Sequence, residues 1–288
     1  MSGGRVAMRL WVIGPVAWDW TFQVDRIPPS GGYTQARSPA GRPGGTGANV
    51  AVALASTQAE VCMVGYVGRD AVGRRLLAFL RKQAVDTEYV AKVDGDTPQV
   101  FLFIEPSGER TIIEVTADLS QSIAVPVAAI SPGDIAYFAV WQASFLPPMA
   151  ELISKDVTVA TVPPDGEQPI LPATFIIGSE SHHHSLNSVL KNYSDLLAQG
   201  TLRCVVVTRG ADGAIAYCHR DTIIQPAKRV KPIDTTGAGD AFTAGFLHQI
   251  ALGRSIKDAL RVGTDWGTAA VLTPYSTPPA WTAFSHYL

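Results

Sequence analysis

Short runs of hydrophobic residues recur along the chain, and each ends at glycine, proline or a polar turn. The clearest run, Cys204–Thr208, is continuous and rich in valine. Such runs are typical of strands that are covered on both faces of a sheet. Further buried strands are predicted at Leu10–Ile13, Val61–Val67, Ile135–Val140, Val157–Val162 and Thr174–Ile177.

Helical spacing of apolar residues appears between these runs. Asp70–Gln83 is amphipathic, and the alanines and valines of Ala48–Ser56 predict a helix that can lie close to a sheet. Ser255–Val262 and Thr264–Leu272 are also predicted to be helical, with Ser255 as an N-cap. Strands that alternate with helices predict an α/β fold, in which a mostly parallel sheet is flanked by helices.

The alternation breaks at residues 17–37 and 92–115, which are rich in extended pieces and turns. These two segments are predicted to pair into a small separate sheet, inserted as a lid in a single domain that spans residues 1–288. An exposed edge of the lid is a surface on which a second strand can pair. A homodimer through the lid is therefore predicted.

Composition narrows the possible partners. The formal net charge is −2, which excludes the basic surface of a nucleic-acid binder. No stretch reaches the roughly 18 apolar residues of a membrane span. Cys62, Cys204 and Cys218 are sparse and form no Cys-x-x-Cys pair, so buried thiols in a reducing compartment are expected. The sequence therefore predicts a cytoplasmic protein with neither nucleic-acid nor membrane partners.

The most informative segment is Asp234–Phe242, which follows a strand-like piece and opens a helix. Gly237, Ala238 and Gly239 allow a tight turn that exposes backbone N–H groups at the helix N-terminus, where an anion is favoured. Asp240 in the first turn lies beside that anion hole. Its carboxylate is suited to accept the proton of an attacking hydroxyl.

Other interpretations of this segment are weaker. It is not a Walker A loop, because no Lys-Ser or Lys-Thr follows at the required spacing. It is not a dinucleotide fingerprint either, because Phe242 stands where a third glycine should be. From these residues alone, a plain loop followed by a helix cap at Asp240 stays open.

Four segments together resemble the signatures of the ribokinase-like (PfkB-type) carbohydrate kinases. Asp234–Phe242 is similar to the family's C-terminal signature, and Gly44–Asn49 resembles its Gly-Gly-x-Gly-Ala-Asn turn. Val64–Gly73 resembles the glycine-rich stretch that follows that turn, and Thr208–Gly213 the loop that borders the nucleotide. All four appear in the family's order.

This resemblance implies a three-layer α/β domain with a small β-sheet lid. It implies ATP and Mg²⁺ as cofactors and transfer of the γ-phosphoryl group to a hydroxyl of a small sugar or polyol. Asp240 would be the base, and the N–H groups of Gly237 to Gly239 would stabilise the transferring group.

The resemblance also assigns the binding residues. Substrate contacts fall on Asp19, Gly44, Gly45 and Asn49, although Asp19 can equally be a turn residue and Asn49 a helix start. The resemblance places four further residues at the ATP site. They are Thr208, Gly210, Gly213 and Asp265. The last of these, Asp265, can contact the nucleotide or simply lie on its helix.

The chain departs from the family at several positions. Ala17 stands where the first sugar-contacting asparagine is expected, and Thr46 replaces a frequent lysine. Ser179 and His182 occupy the ends of the metal-organising Asn-x-x-Glu motif, so Glu180 is the remaining candidate metal ligand. These changes put ribose and the normal Mg²⁺ arrangement in doubt.

Two features bear on metals. Asp234 and Thr236 match residues that bind a monovalent cation, such as potassium, in some relatives. The run His182–His184 is interpreted as surface helix, because three consecutive histidines cannot all face one ion.

Alternatives to a sugar kinase stay open. One is a nucleoside kinase in which Trp18, Trp20, Phe22 and Trp141 stack on a base. Another is a catalytically impaired sensor of sugar or nucleotide, favoured by the altered metal motif. An NAD-dependent oxidoreductase is disfavoured, because the required glycine pattern is missing.

Overall fold

The computed structural model describes residues 8–106, 110–115, 123–164, 171–181 and 201–284. The strands are β1 (Arg9–Ile13), β2 (Ala17–Val24), β3 (Ala36–Gly44), β4 (Glu60–Gly68), β5 (Val90–Val93), β6 (Gln99–Ile104), β7 (Arg110–Val115), β8 (Ile135–Phe138), β9 (Thr158–Thr161), β10 (Phe175–Ser179), β11 (Cys204–Thr208), β12 (Ala214–Cys218) and β13 (Thr222–Gln225). The helices are α1 (Thr46–Ala55), α2 (Ala71–Lys82), α3 (Leu146–Ser154), α4 (Ala238–Ala251), α5 (Ile256–Ala270) and the single turn α6 (Trp281–Phe284).

Nine strands form the large sheet in the order β13-β12-β11-β10-β9-β8-β1-β4-β5. The seven strands from β11 to β5 are parallel, and the β12–β13 hairpin adds an antiparallel edge. Alternate residues of β1 enter different cores. Leu10 and Val12 pack on the side of α1, α2, α4 and α5, whereas Trp11 and Ile13 pack on the side of α3. The expected three-layer α/β fold is confirmed.

The other four strands form a separate sheet in the order β3-β2-β6-β7. The expected lid sheet is thus confirmed, but β3 differs from the prediction. It continues to Gly44, whereas the extended segment was predicted to end at residue 37. Gly44 pairs with Ala17, and any side chain on it would overlap the Asp19 carboxylate. Glycine therefore serves here as a strand residue that makes room for an acid.

Helix α5 is continuous where two helical segments were predicted. Its middle residue, Gly263, lies against α4, and a methyl group there would come within 2.8 Å of the Phe242 carbonyl oxygen. The glycine therefore permits close helix packing rather than a break. The predicted cap is confirmed, since the Ser255 hydroxyl accepts a hydrogen bond from the backbone N–H of Asp258 at 3.1 Å.

The cysteines do not all behave as expected. Cys204 and Cys218 lie opposite each other on antiparallel β11 and β12 and form a disulfide, so the expectation of free thiols is wrong for this pair. The register of the β11–β12 hairpin brings the two residues together. Their spacing in the sequence alone does not indicate this pairing. Cys62 is free and buried, as predicted. Within the described ranges, none of the helices has the length and apolar character needed to cross a membrane.

Candidate active site

A cleft of about 720 Å³ lies between the lid and the end of the large sheet. It adjoins the carboxyl ends of β10 and β11 and the N-terminus of α4, the edge at which open α/β sheets bind ligands. Most residues predicted for the site line it together. These are Asp19, Gly45, Asn49, Thr208, Gly210, Gly213, Thr236, Gly237, Ala238, Gly239 and Asp240.

Asp240 is held at the centre of this cleft by Asn49. The side-chain amide of Asn49 donates a hydrogen bond to Oδ2 of Asp240 at 2.8 Å. Asn49 belongs to α1 and Asp240 to the first turn of α4, so the contact fixes the starts of two helices against each other.

The surroundings of Asp240 make it a weaker acid than an ordinary aspartate. Removal of water by the surrounding protein raises the pKa of Asp240 to about 7. The hydrogen bond from Asn49 opposes this rise, and the negative charge of Asp19 adds to it. A carboxyl with a pKa near neutrality is well placed to accept a proton from a hydroxyl.

Asp19 provides the second carboxyl of the cleft. It lies on lid strand β2 and is almost completely buried. Burial raises the pKa of Asp19 to about 6, although the positive charge of Arg42 and the nearby Ser276 hydroxyl pull the pKa down. The floor of the cleft therefore holds two carboxyls with different, elevated pKa values, as acid–base sites often do.

The backbone around Gly237 leaves the N-terminus of α4 open, as the predicted anion hole requires. Gly237 is the N-cap of α4 with φ 77°, and a side chain there would overlap the carbonyl oxygen of Ser276. No side chain caps the helix, and the space around Gly239 is open for 4 Å beyond where a Cβ would stand. A phosphate group can therefore approach the helix N-terminus directly.

The predicted nucleotide residues divide into two groups. Thr208, Gly210 and Gly213 line the cleft. Asp265 does not line it, because its carboxylate turns to Lys228 at 3.4 Å and to Arg261 at 3.9 Å.

The predicted metal residues are spread out. Glu180 is exposed and does not line the cleft, whereas Ser179 and Ser181 do. Oδ1 of Asp234 accepts the N–H of Thr236 at 2.8 Å. Nowhere in the described part of the chain do three His, Cys, Asp or Glu residues gather in a metal-binding group. The histidine run 182–184 lies outside the described residues.

The structure also shows residues that sequence reasoning missed. Val100, Leu102 and Ile112 of the lid line the cleft with aliphatic surface. Arg42 lies opposite Asp19 on the neighbouring strand. Arg42 was missed because the extended segment was predicted to end at residue 37, five residues before it.

The aromatic residues proposed for base stacking are placed elsewhere. Trp18 is buried in the core, and the Arg75 guanidinium lies 4.5 Å from its ring centroid. Trp20 donates its indole N–H to Gln99 at 2.8 Å. Neither of these residues, nor Phe22 or Trp141, lines the cleft.

Comparison with known proteins agrees with the site. A profile described as "pfkB family carbohydrate kinase" matches residues 8–161 and 173–283. An ATP-dependent ribose-1-phosphate kinase of Halopiger xanaduensis is 30% identical over 279 residues, covering 90% of each chain. A ribokinase of Bacillus subtilis is 29% identical over 260 residues, covering 87% of this chain and 88% of its own.

Solved structures show the same fold. A ribokinase from Thermotoga maritima superimposes with a TM-score of 0.82 at 20% identity, covering 98% of this chain and 99% of its own. The family profile spans nearly the whole described chain and includes both ends of the cleft. The chain therefore belongs to the pfkB family of carbohydrate kinases.

Proposed function

We propose that this carbohydrate kinase transfers the γ-phosphoryl group of ATP to a hydroxyl of a small sugar or polyol, with Asp240 as the general base. The observation that carries the proposal is the position of the Asp240 carboxylate. It lines the same cleft as the open helix N-terminus at Gly239 and the buried carboxyl of Asp19, and burial raises its pKa to about 7. A hydroxyl bound there has a base on one side and a phosphate site on the other.

The acceptor site supports a polyol ligand. Asp19 offers carboxylate oxygens that accept hydrogen bonds from hydroxyl groups. Asn49 donates to Asp240, which leaves its amide oxygen available as a further acceptor. Gly45 lines the cleft and Gly44 does not, but a side chain on Gly44 would overlap the Asp19 carboxylate, so this glycine leaves room for the acid. These four residues form the proposed acceptor site.

The nucleotide would lie along Thr208, Gly210 and Gly213 and extend its phosphates towards α4. Asp265 belongs to the proposed outer rim, where its ion pair with Lys228 fixes a residue that lines the cleft. Mg²⁺ neutralises charge on transferring phosphates and usually keeps several waters, so one or two carboxylates suffice to hold it. Glu180 is the predicted carboxylate ligand, and it lies between Ser179 and Ser181, which line the cleft.

A monovalent cation such as potassium at Asp234 and Thr236 likewise stays a prediction. Its ligand Asp234 would be shared with Arg42, whose Nη2 lies 3.6 Å from Oδ2. A cytoplasmic location is also still a prediction.

A nucleoside acceptor is the second candidate function. The aliphatic lining of Val100, Leu102 and Ile112 suits the flat face of a base as well as the apolar face of a sugar. Ser179 stands where the metal-organising motif has asparagine. A catalytically impaired sensor of sugar or nucleotide is therefore a third candidate.

The lid has a surface suited to the proposed homodimer. β7 is an edge strand of the lid sheet, and Ile112, Ile113 and Val115 on it are about half exposed. Exposed apolar edge strands favour pairing with another chain. An Ile113→Lys variant is expected to convert a dimer into a monomer in light scattering coupled to gel filtration.

The proposal is tested by ADP release with ATP and Mg²⁺ across sugars, sugar phosphates and nucleosides. Turnover with one class of sugar supports the proposal. Turnover with nucleosides alone would show instead that the chain is a nucleoside kinase. If ATP and a sugar bind in calorimetry but no acceptor is phosphorylated, the chain is a sensor and the proposal is wrong.

A further inference from the structure

Arg42 links the lid to the main domain beside the anion hole. It lies on β3 directly opposite Asp19 of β2. Its Nη1 donates a hydrogen bond to the carbonyl oxygen of Pro274 at 3.0 Å, and its Nη2 lies 3.6 Å from Oδ2 of Asp234. Pro274 and Asp234 belong to the two loops that follow α5 and precede α4. One guanidinium therefore contacts both loops from the other sheet.

These two loops also build the anion hole. The Ser276 carbonyl packs against Gly237, and the backbone N–H of Ile233 donates to the Val271 carbonyl at 2.7 Å. The carboxylate that meets Arg42 also accepts the N–H of Thr236, the residue before Gly237. A shift of Arg42 is thus transmitted within two contacts to the turn that receives phosphate.

The geometry of Arg42 is poor for stability alone. The side chains of Arg42 and Asp234 are 19% and 17% exposed, yet Nε and Nη2 of Arg42 are buried without a hydrogen-bond partner. A largely buried ion pair that lacks full hydrogen bonding seldom adds net stability, because desolvation offsets the attraction. The charge of Arg42 is better explained by its effect on neighbouring groups.

Those neighbours are acidic. Asp19 lies opposite Arg42 on the neighbouring strand of the lid. It also faces Asp240 of α4 and the Ser276 hydroxyl. Asp234 faces Arg42 from the main domain. Arg42 is a cation placed against these carboxylates, and its attraction opposes the effect of burial on the pKa of Asp19.

We propose that Arg42 is a positioning residue of the kinase site. Its fixed positive charge keeps the acceptor-binding Asp19 ionised and holds lid strand β3 against the loops that form the anion hole. Acceptor and phosphate sites thereby keep a constant separation. This inference rests on the proposed function, because it assigns the two sites that Arg42 connects.

The kinetic test compares Arg42→Ala and Arg42→Lys with Arg37→Ala. Arg37 lies on the same strand, but its ion pair with Asp25 is exposed, so it serves as the matched control. Arg42→Ala is expected to raise the KM for the acceptor and lower kcat, by about 10- to 100-fold in kcat/KM. Added guanidinium should restore part of this loss, Arg42→Lys should retain part of the activity, and Arg37→Ala should match the wild type.

A second measurement does not need turnover. Titration of ¹³C-labelled aspartate carboxyls, with Asp19 assigned through Asp19→Asn, is expected to show a higher pKa for Asp19 in Arg42→Ala than in Arg37→Ala. Melting curves confirm that each variant is folded. If wild-type enzyme turns over and Arg42→Ala matches Arg37→Ala in both kinetics and titration, the inference is overturned and the kinase assignment stands. If no acceptor is turned over, the proposed function fails, while an unchanged Asp19 titration would still reject the role of Arg42.

Discussion

The side-chain amide of Asn49 donates to the Asp240 carboxylate across a sequence separation of 191 residues. This bond joins the helix that begins after the Gly44-Gly45 turn to the helix that begins at the anion hole. It sets the direction of the Asp240 carboxylate while leaving that group in a poorly hydrated cleft. Two signatures at opposite ends of the chain thus meet at the proposed general base.

Replacing the proposed base gives the first prediction. Asp240→Asn preserves shape and can still accept the hydrogen bond from Asn49, but it cannot take a proton from the acceptor. We expect kcat to fall by about 10²- to 10⁴-fold, the usual contribution of a general base. The ADP-release assay measures this loss, with Asp25→Asn on the exposed lid as the control variant. Retention of more than half the wild-type kcat would rule out Asp240 as the base.

The same substitution should stabilise the ligand-free protein. Burial raises the pKa of Asp240 to about 7 in the fold, against about 3.9 in an unfolded chain. The folded state therefore binds this proton more tightly than the unfolded chain. The resulting contribution to the free energy of unfolding is fully present below pH 4 and is lost as pH rises to about 7. The free energy of unfolding of Asp240→Asn should therefore rise relative to that of wild type between pH 4 and pH 7. This difference should persist above pH 7.

Melting curves at several pH values check this expectation. At pH 8 the variant should melt at least about 2 °C above wild type, and at pH 4 the two should coincide. A gain that does not vary with pH would mean that packing, rather than the raised pKa, is responsible.

The pH dependence of activity should respond to Asp19. Its negative charge helps to raise the pKa of Asp240. Asp19→Asn removes that charge, so the acid limb of the kcat/KM profile, which reports the free enzyme, should move from about pH 7 to lower pH. The KM for the acceptor should rise at the same time, because a carboxylate that binds hydroxyls is lost. An acid limb that stays at the wild-type pH would show that the two carboxyls do not interact.

Much of this architecture was predictable because local signals agreed. The valine-rich strand Cys204–Thr208 and the glycine-rich turn at Gly237–Gly239 each specify one conformation. What failed depended on partners distant in sequence. The orientation of Arg42 depends on its hydrogen bond to the Pro274 carbonyl oxygen. The disulfide of Cys218 depends on the register of a hairpin. The assignment of Asp265 to the nucleotide stays a prediction, and the sequence did not indicate that Lys228 of another segment lies 3.4 Å from its carboxylate.

Two glycines of the anion hole should respond differently to alanine. Gly237→Ala forces a methyl group onto the Ser276 carbonyl at a positive φ, so the melting temperature should fall. Gly239→Ala meets open space, so it should melt like wild type but obstruct the phosphate site and raise the KM for ATP about tenfold. Gly253→Ala is the matched control, because its φ of 67° is positive without any neighbour within 4 Å.

The outcome that would contradict this reasoning is specific. If Gly237→Ala and Gly253→Ala lose the same stability, backbone strain alone accounts for Gly237. If Gly239→Ala leaves the KM for ATP unchanged, phosphate does not approach α4 at this residue.

The response to monovalent cations should depend on Arg42. Its guanidinium lies 3.6 Å from the Asp234 carboxylate, one of the two residues predicted to bind potassium. Arg42→Ala removes this guanidinium from beside the Asp234 carboxylate, so a small cation can take up the space and the charge that it occupied. We expect kcat to respond to exchange of sodium for potassium at constant ionic strength more strongly in Arg42→Ala than in wild type. Arg37→Ala should behave as wild type does, and equal potassium responses in all three proteins would show that Arg42 and a cation do not share Asp234.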